Sequence, residues 1–149
     1  MATTHCNALG SVAVSASVIA TSGQAPHSGQ WSAWLCGYGS THTDTLKQVV
    51  TIPAGLSSAT LAFWLHVDTE ETSTTTAHDR LRVQLLDASG HVLKTLATFS
   101  NLDAGAGYRH VTLDASVAIG KTVTLKFSAR EDNAKATSFV VNDVTLEVR

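Results

Sequence analysis

Residues 60–85 read TLAFWLHVDTEETSTTTAHDRLRVQL, two alternating apolar runs joined by a Thr-rich acidic loop. Leu61, Phe63, Leu65 and Val67 share one side of the first run, because side chains of an extended chain alternate between faces. Leu81, Val83 and Leu85 repeat the pattern in the second run. The pair predicts two strands that each bury one face. Trp64 and His66 are out of phase with the first set and so belong to the opposite face. The loop between the runs carries Asp68, Glu70, Glu71 and Asp79 among hydroxyl side chains, a supply of hard oxygen atoms with no evident nucleophile paired to a base.

Outward from this stretch, further strands are predicted over 12–18, 30–36, 45–52, 58–67, 79–87, 91–98, 108–114, 121–129 and 138–148, with no convincing helix of three turns. Strands at such short intervals indicate a sandwich or barrel in place of alternating βαβ units. Asp87-Ala88-Ser89-Gly90 predicts a hairpin with Gly90 at positive φ, and Pro53-Ala54-Gly55 ends the strand before it; both are expected to link antiparallel neighbours. The Gly-rich segment 100–107 is too long for a tight hairpin and is expected to cross between two sheets. Leu61, Phe63, Leu65, Val83, Leu85, Val123, Leu125 and Phe127 are the expected apolar layer. No repeat or linker divides the chain, so 1–149 is expected to be one domain.

Ser and Thr supply 35 of the 149 residues and charged residues only 15%, which favours strands and polar loops. The net charge of −2, with Arg80 and Arg82 the only close basic pair, speaks against a nucleic-acid partner. No apolar run approaches the roughly 18 residues of a membrane span. The amino terminus lacks the basic start and unbroken apolar stretch of a secretory signal, so any signal is expected to have been removed or replaced by an initiating Met. Cys6 and Cys36 have no zinc-site spacing; they are either one disulfide or two small buried hydrophobes.

Chemistry-bearing residues are abundant but scattered. There is no GxSxG or HExxH, and Gly37-Tyr38-Gly39-Ser40 lacks the strand-to-helix context of a nucleophile or phosphate loop, so no catalytic residue is expected. His42 with Asp44, and His66 with Asp68, share strand faces, yet singly spaced histidines are mostly surface or capping residues. Calcium is the better metal candidate: Asp68, Glu71, Asp79, Glu131, Asp132 and Asp143 fall in loops or at strand ends, where they could converge as oxygen ligands or simply form a solvated acidic rim. Trp31, Trp34, Tyr38, Trp64 and Tyr108 could stack on sugar rings or a protein partner. Trp31 and Trp34, three apart, face opposite sides of their strand, which puts at least one in the core. Trp64 and His66 with Tyr38 are the expected ligand-binding set, provided their face is open.

The stretches GQAPHSGQWSAWLCGYGSTHTDTLKQVVTIPA, ATLAFWLHVDTEETSTTTAHDRLRVQLLD and ATSFVVNDVTLEV resemble, in order and spacing, the jelly-roll accessory domain found at the carboxyl end of secreted bacterial peptidases and as stand-alone secreted or surface proteins of Gram-negative bacteria. The resemblance covers residues 18–148. It implies a galactose-binding-like jelly roll, an extracytoplasmic location and no catalytic residues. Related domains often open with an Asn-Gly-x-Phe-Glu strand whose Glu helps bind a structural calcium; this chain has His5-Cys6-Asn7-Ala8-Leu9 instead, although Asn142-Asp143 matches the carboxyl-terminal half of that site. The resulting expectation is an all-β, two-sheet antiparallel β-sandwich of jelly-roll type, secreted or at the cell surface. It would be monomeric and act as an accessory module that binds extracellular polysaccharide or protein. The alternatives are a structural or antigenic surface protein without a small ligand and a hydrolase with a rim site.

Overall fold

The computed structural model describes Ala13–Val14, Ile19–Ala20 and residues 23–149. Its strands are β1 (Ala13–Val14), β2 (Ile19–Ala20), β3 (Ser32–Cys36), β4 (His42–Thr51), β5 (Ala59–Thr69), β6 (Arg80–Leu86), β7 (Val92–Ser100), β8 (Arg109–Asp114), β9 (Thr122–Glu131) and β10 (Thr137–Val148). They form two sheets, a first in the order β1-β4-β9-β6-β7 and a second in the order β2-β3-β10-β5-β8. Every pairing is antiparallel. The fold is the all-β sandwich expected, with the chain passing repeatedly from one sheet to the other.

Period-two patterning explains the core. Leu61, Phe63 and Leu65 of β5, Val83 and Leu85 of β6, and Val123, Leu125 and Phe127 of β9 all point between the sheets and join one buried cluster. The rings of Phe63 and Phe127 meet edge-on across it, 5.1 Å between centroids, a favoured aromatic geometry. The expected strand phase is therefore correct throughout this layer.

Two expectations about the connections need revision or restriction, and two hold. Pro53-Ala54-Gly55 follows β4 of the first sheet and leads into β5 of the second, so it is a corner between sheets and not a hairpin. The hairpin at Asp87 to Gly90 does join neighbours: Gly90 has φ 83°, and the Asp87 carboxylate accepts the Ser89 and His91 amides. Of the strand expected over 12–18 only β1 is described, paired with β4, and β2, which follows that range, pairs with β3 in the other sheet; residues 12 and 15–18 lie outside the described residues. The segment after β7 crosses between the sheets as expected, turning through a 3₁₀ helix at Asn101–Asp103 that Ser100 and Asp103 cap reciprocally.

The tryptophans also depart from expectation. Neither Trp31 nor Trp34 enters the inter-sheet core, where Ala33 and Leu35 take the inward positions of β3. Trp31 is 60% exposed. Trp34 lies on the outer face of the second sheet with Gly23 directly against its ring: a Cβ there would stand 2.1 Å from the indole, and Gly23 also has φ 92°.

Candidate ligand-binding surface

Three carboxylates are buried at one end of the sandwich. Asp44, Asp79 and Glu131 are each 0% exposed, and each points inward from a strand end of the first sheet. Glu131 accepts the amides of Gly37 (3.2 Å), Tyr38 (2.9 Å) and Gly39 (2.8 Å), plus that of Thr137 (3.1 Å). Asp79 accepts the Asp132 amide at 2.8 Å and the Thr137 hydroxyl at 2.5 Å. Asp44 accepts the Cys36 amide at 2.8 Å and lies 3.1 Å from His42 Nε2. A buried charge is tolerable only where such donors surround it. These acids tie down the loops that follow β3, β5 and β9; they are not a solvated rim. β4 starts earlier and β9 ends later than predicted, because Asp44 and Glu131 continue the inward alternation of their strands.

The six acids expected as calcium ligands do not form one cage. Glu131 and Asp79 are occupied by protein donors. Asp143 lies on the outer face of the second sheet, where Oδ1 accepts from the Ser28 hydroxyl and Oδ2 is 2.7 Å from His27 Nδ1. Burial raises its pKa, but the Ser28 and His27 hydrogen bonds and the His27 charge outweigh that and hold it below the ordinary value. Asp68 is exposed on the second sheet beside Trp34 and Ser138. Glu71 and Asp132 do meet, with His78, their donor atoms all within 4.8 Å. Two carboxylates and an imidazole are an incomplete set for calcium, which takes six to eight oxygens. Neighbouring Asn142 holds Ser28 N (2.9 Å) and Trp31 O (2.6 Å), so the Asn-Asp pair serves to anchor a chain segment.

The expected aromatic platform is covered. His27 stacks on Trp64 at 3.8 Å between centroids, and His110, opposite Trp64 on β8, tilts towards it at 5.0 Å. His66 bonds the Gly105 carbonyl through Nε2 at 2.7 Å and adjoins Tyr108, while the Tyr108 hydroxyl donates to Ala25 O. Trp64 and His66 thus sit in a packed cluster beneath the segments around 27 and 105. Tyr38 is remote from them, in the loop over Glu131; it is 55% exposed and leans on His42 at 4.1 Å. The structure does not bring the three residues together. The Cys6–Cys36 pairing falls outside the described residues; Cys36 itself is buried with φ 63°.

The opposite, outer face of the first sheet is open. In its register Thr43 of β4, Arg130 of β9 and Arg80 of β6 form one row, and Thr45, Ser128 and Arg82 the next. Alternation turns these outward wherever Asp44, Glu131 and Leu81 turn inward. With His78 and Asp132 at the end, this surface lines a groove of about 350 Å³, within the roughly 300–1,000 Å³ of small-ligand sites. Of its basic residues the sequence singles out only Arg80 and Arg82, and Asp132 stands out there only as a candidate metal ligand. Arg130 lies about fifty residues on, and pairing between β6 and β9 is needed to bring it alongside.

No family model and no curated protein matches the chain. Solved structures do. Across 91% of this chain and 85% of its own, TmCBM61, solved with β-1,4-galactotriose, superposes with a TM-score of 0.61 at 13% identity. The CBM22-1 xylan-binding domain of Paenibacillus barcinonensis Xyn10C gives a TM-score of 0.53 at 12% identity over 98% of this chain and 85% of its own. The enzymatically active domain of bacteriophage CBA120 tailspike protein 4 matches 93% of this chain at a TM-score of 0.55 and 14% identity, but over only 18% of its own length. At these identities the likeness defines a fold, the β-sandwich that carbohydrate-binding modules share.

Proposed function

We propose that the protein is a non-catalytic carbohydrate-binding module that holds polysaccharide at the cell exterior, in the groove on the outer face of its first sheet. The carrying observation is the groove's lining. Thr43, Arg80, Arg82, Ser128 and Arg130 stand on adjacent strands of one sheet and present hydrogen-bonding groups outward. Strands hold such groups in place before a ligand arrives, which lowers the cost of binding. The fold of the structural neighbours supports the sugar-binding reading. The resemblance to accessory domains of secreted peptidases supports an exported setting.

The test is a panel of soluble polysaccharides titrated calorimetrically against the wild type and Arg82→Ala. Saturable binding, weakened about tenfold as expected for loss of a charged hydrogen bond, upholds the proposal. Binding that survives in Arg82→Ala and Ser128→Trp moves the site elsewhere, and no binding across the panel overturns it.

A further inference from the structure

The outer face of the first sheet is cationic although the chain is acidic overall. Lys47, Arg80, Arg82, Lys126 and Arg130, half of the ten Lys and Arg residues, occupy it. Lys47 stands directly opposite Lys126, and Arg80 directly opposite Arg130. Like charges facing each other across a sheet are destabilising. Arg109 and Arg149 pair with Asp103 (3.0 Å) and Glu147 (3.8 Å). No carboxylate among the described residues is within ion-pairing distance of Arg80, Arg82 or Arg130, and residues 1–22 contain no Asp or Glu. The groove's own acid, Asp132, is 3.4 Å from His78.

From this we infer that the groove takes an anionic glycan, with Arg80, Arg82 and Arg130 gripping the carboxylate or sulfate oxygens of successive sugars; the inference rests on the carbohydrate-binding reading and narrows it. Guanidinium groups match such oxyanions with two parallel hydrogen bonds. Thr43 and Ser128, between and beside the arginines, offer hydroxyls to the sugar ring. The ligand supplies the negative charge that the sheet lacks, so a pairing that costs stability in the free protein becomes favourable in the complex. Lys47 and Lys126 continue the same face beyond the groove and extend the attraction along a polymer.

The experiment titrates wild-type protein and the variants Arg80→Gln and Arg130→Gln with polygalacturonate, dextran sulfate, neutral dextran, neutral galactan and a short DNA duplex, at low salt and again at about 0.5 M salt, where exposed charges are largely screened. The expected result is saturable binding of an acidic polysaccharide, lost at high salt and weakened about tenfold or more by either substitution. Preference for polygalacturonate assigns carboxylate recognition and preference for dextran sulfate assigns sulfate recognition; either upholds the inference. Neutral galactan bound equally well by wild type and variants would overturn it while leaving the carbohydrate-binding reading standing. Binding of no polysaccharide would overturn both. DNA bound as tightly as the acidic glycans would overturn the ligand class. The substitutions should leave the melting temperature unchanged or raised, since each removes a like-charge pair, and a marked fall would overturn the inference by making the arginines structural.

Discussion

The imidazole of His27 lies flat on the indole of Trp64, ring centroids 3.8 Å apart and planes 14° from parallel. His27 is held there by Asp143, which also accepts from Ser28, so one carboxylate clamps the chain before β3 across the second sheet. Its lowered pKa makes the clamp acid-sensitive in a defined direction. A carboxylate whose folded pKa is depressed contributes stability above its unfolded value, here near 3.8, and loses it as pH falls through the lower folded value. NMR cross-peaks between the ring protons of His27 and Trp64 report the contact itself; they should persist down to about pH 4 and be lost below that, as Asp143 takes up its proton. Asp143→Asn should weaken the contact already at neutral pH.

Glu131 should be among the costliest polar residues to remove. Glu131→Ala leaves four backbone donors without their acceptor, and each buried unsatisfied group costs about 1–3 kcal/mol. A loss of more than about 3 kcal/mol is expected in urea unfolding. Glu131→Gln keeps one carbonyl oxygen and should fall in between. A loss below about 1 kcal/mol for the alanine variant would mean that the loop over β3 is held by something else.

Phe127 is 2% exposed and meets Phe63 in the centre of the core. Phe127→Ala should cost about 3–5 kcal/mol by the same measurement, since a cavity remains where the ring was. A cost under about 1 kcal/mol would contradict the inward phase of β9.

The Cys36 thiol is pushed up to about 12, first by burial and then by the nearby charges of Asp44 and Glu131. Only the thiolate is nucleophilic. In reducing buffer its alkylation should therefore remain slow at pH 9, where a free cysteine reacts readily. The folded state keeps its proton longer than the unfolded state, so this group leaves stability unchanged below about pH 9 and reduces it as pH rises from there through about 12. Rapid labelling of Cys36 at pH 8 would show that it is exposed.

The sandwich was legible because alternation is a local signal: Leu61, Phe63 and Leu65 declare their face without reference to any other strand. The polar end was not. Glu131 and Asp79 look in sequence like loop carboxylates free for a metal, and their burial follows only once the backbone amides of 37–39 and the Thr137 hydroxyl fold over them. Trp64 was correctly assigned to the outer face of β5, but its cover, His27, arrives from a loop whose path no periodicity encodes. The basic groove was equally hidden. Arg80 and Arg130 are neighbours through strand register alone.

β7 forms one margin of the first sheet, and its pairing with β6 slips twice, between Val83 and Gln84 and between Leu85 and Leu86. Such slips bend a strand and break the even spacing of its outward amides and carbonyls. An incoming strand from another copy would find no regular ladder to extend, and Lys94 adds a charge to that margin. Crowded on a polymer, many copies could bind side by side without fusing their sheets into a fibre.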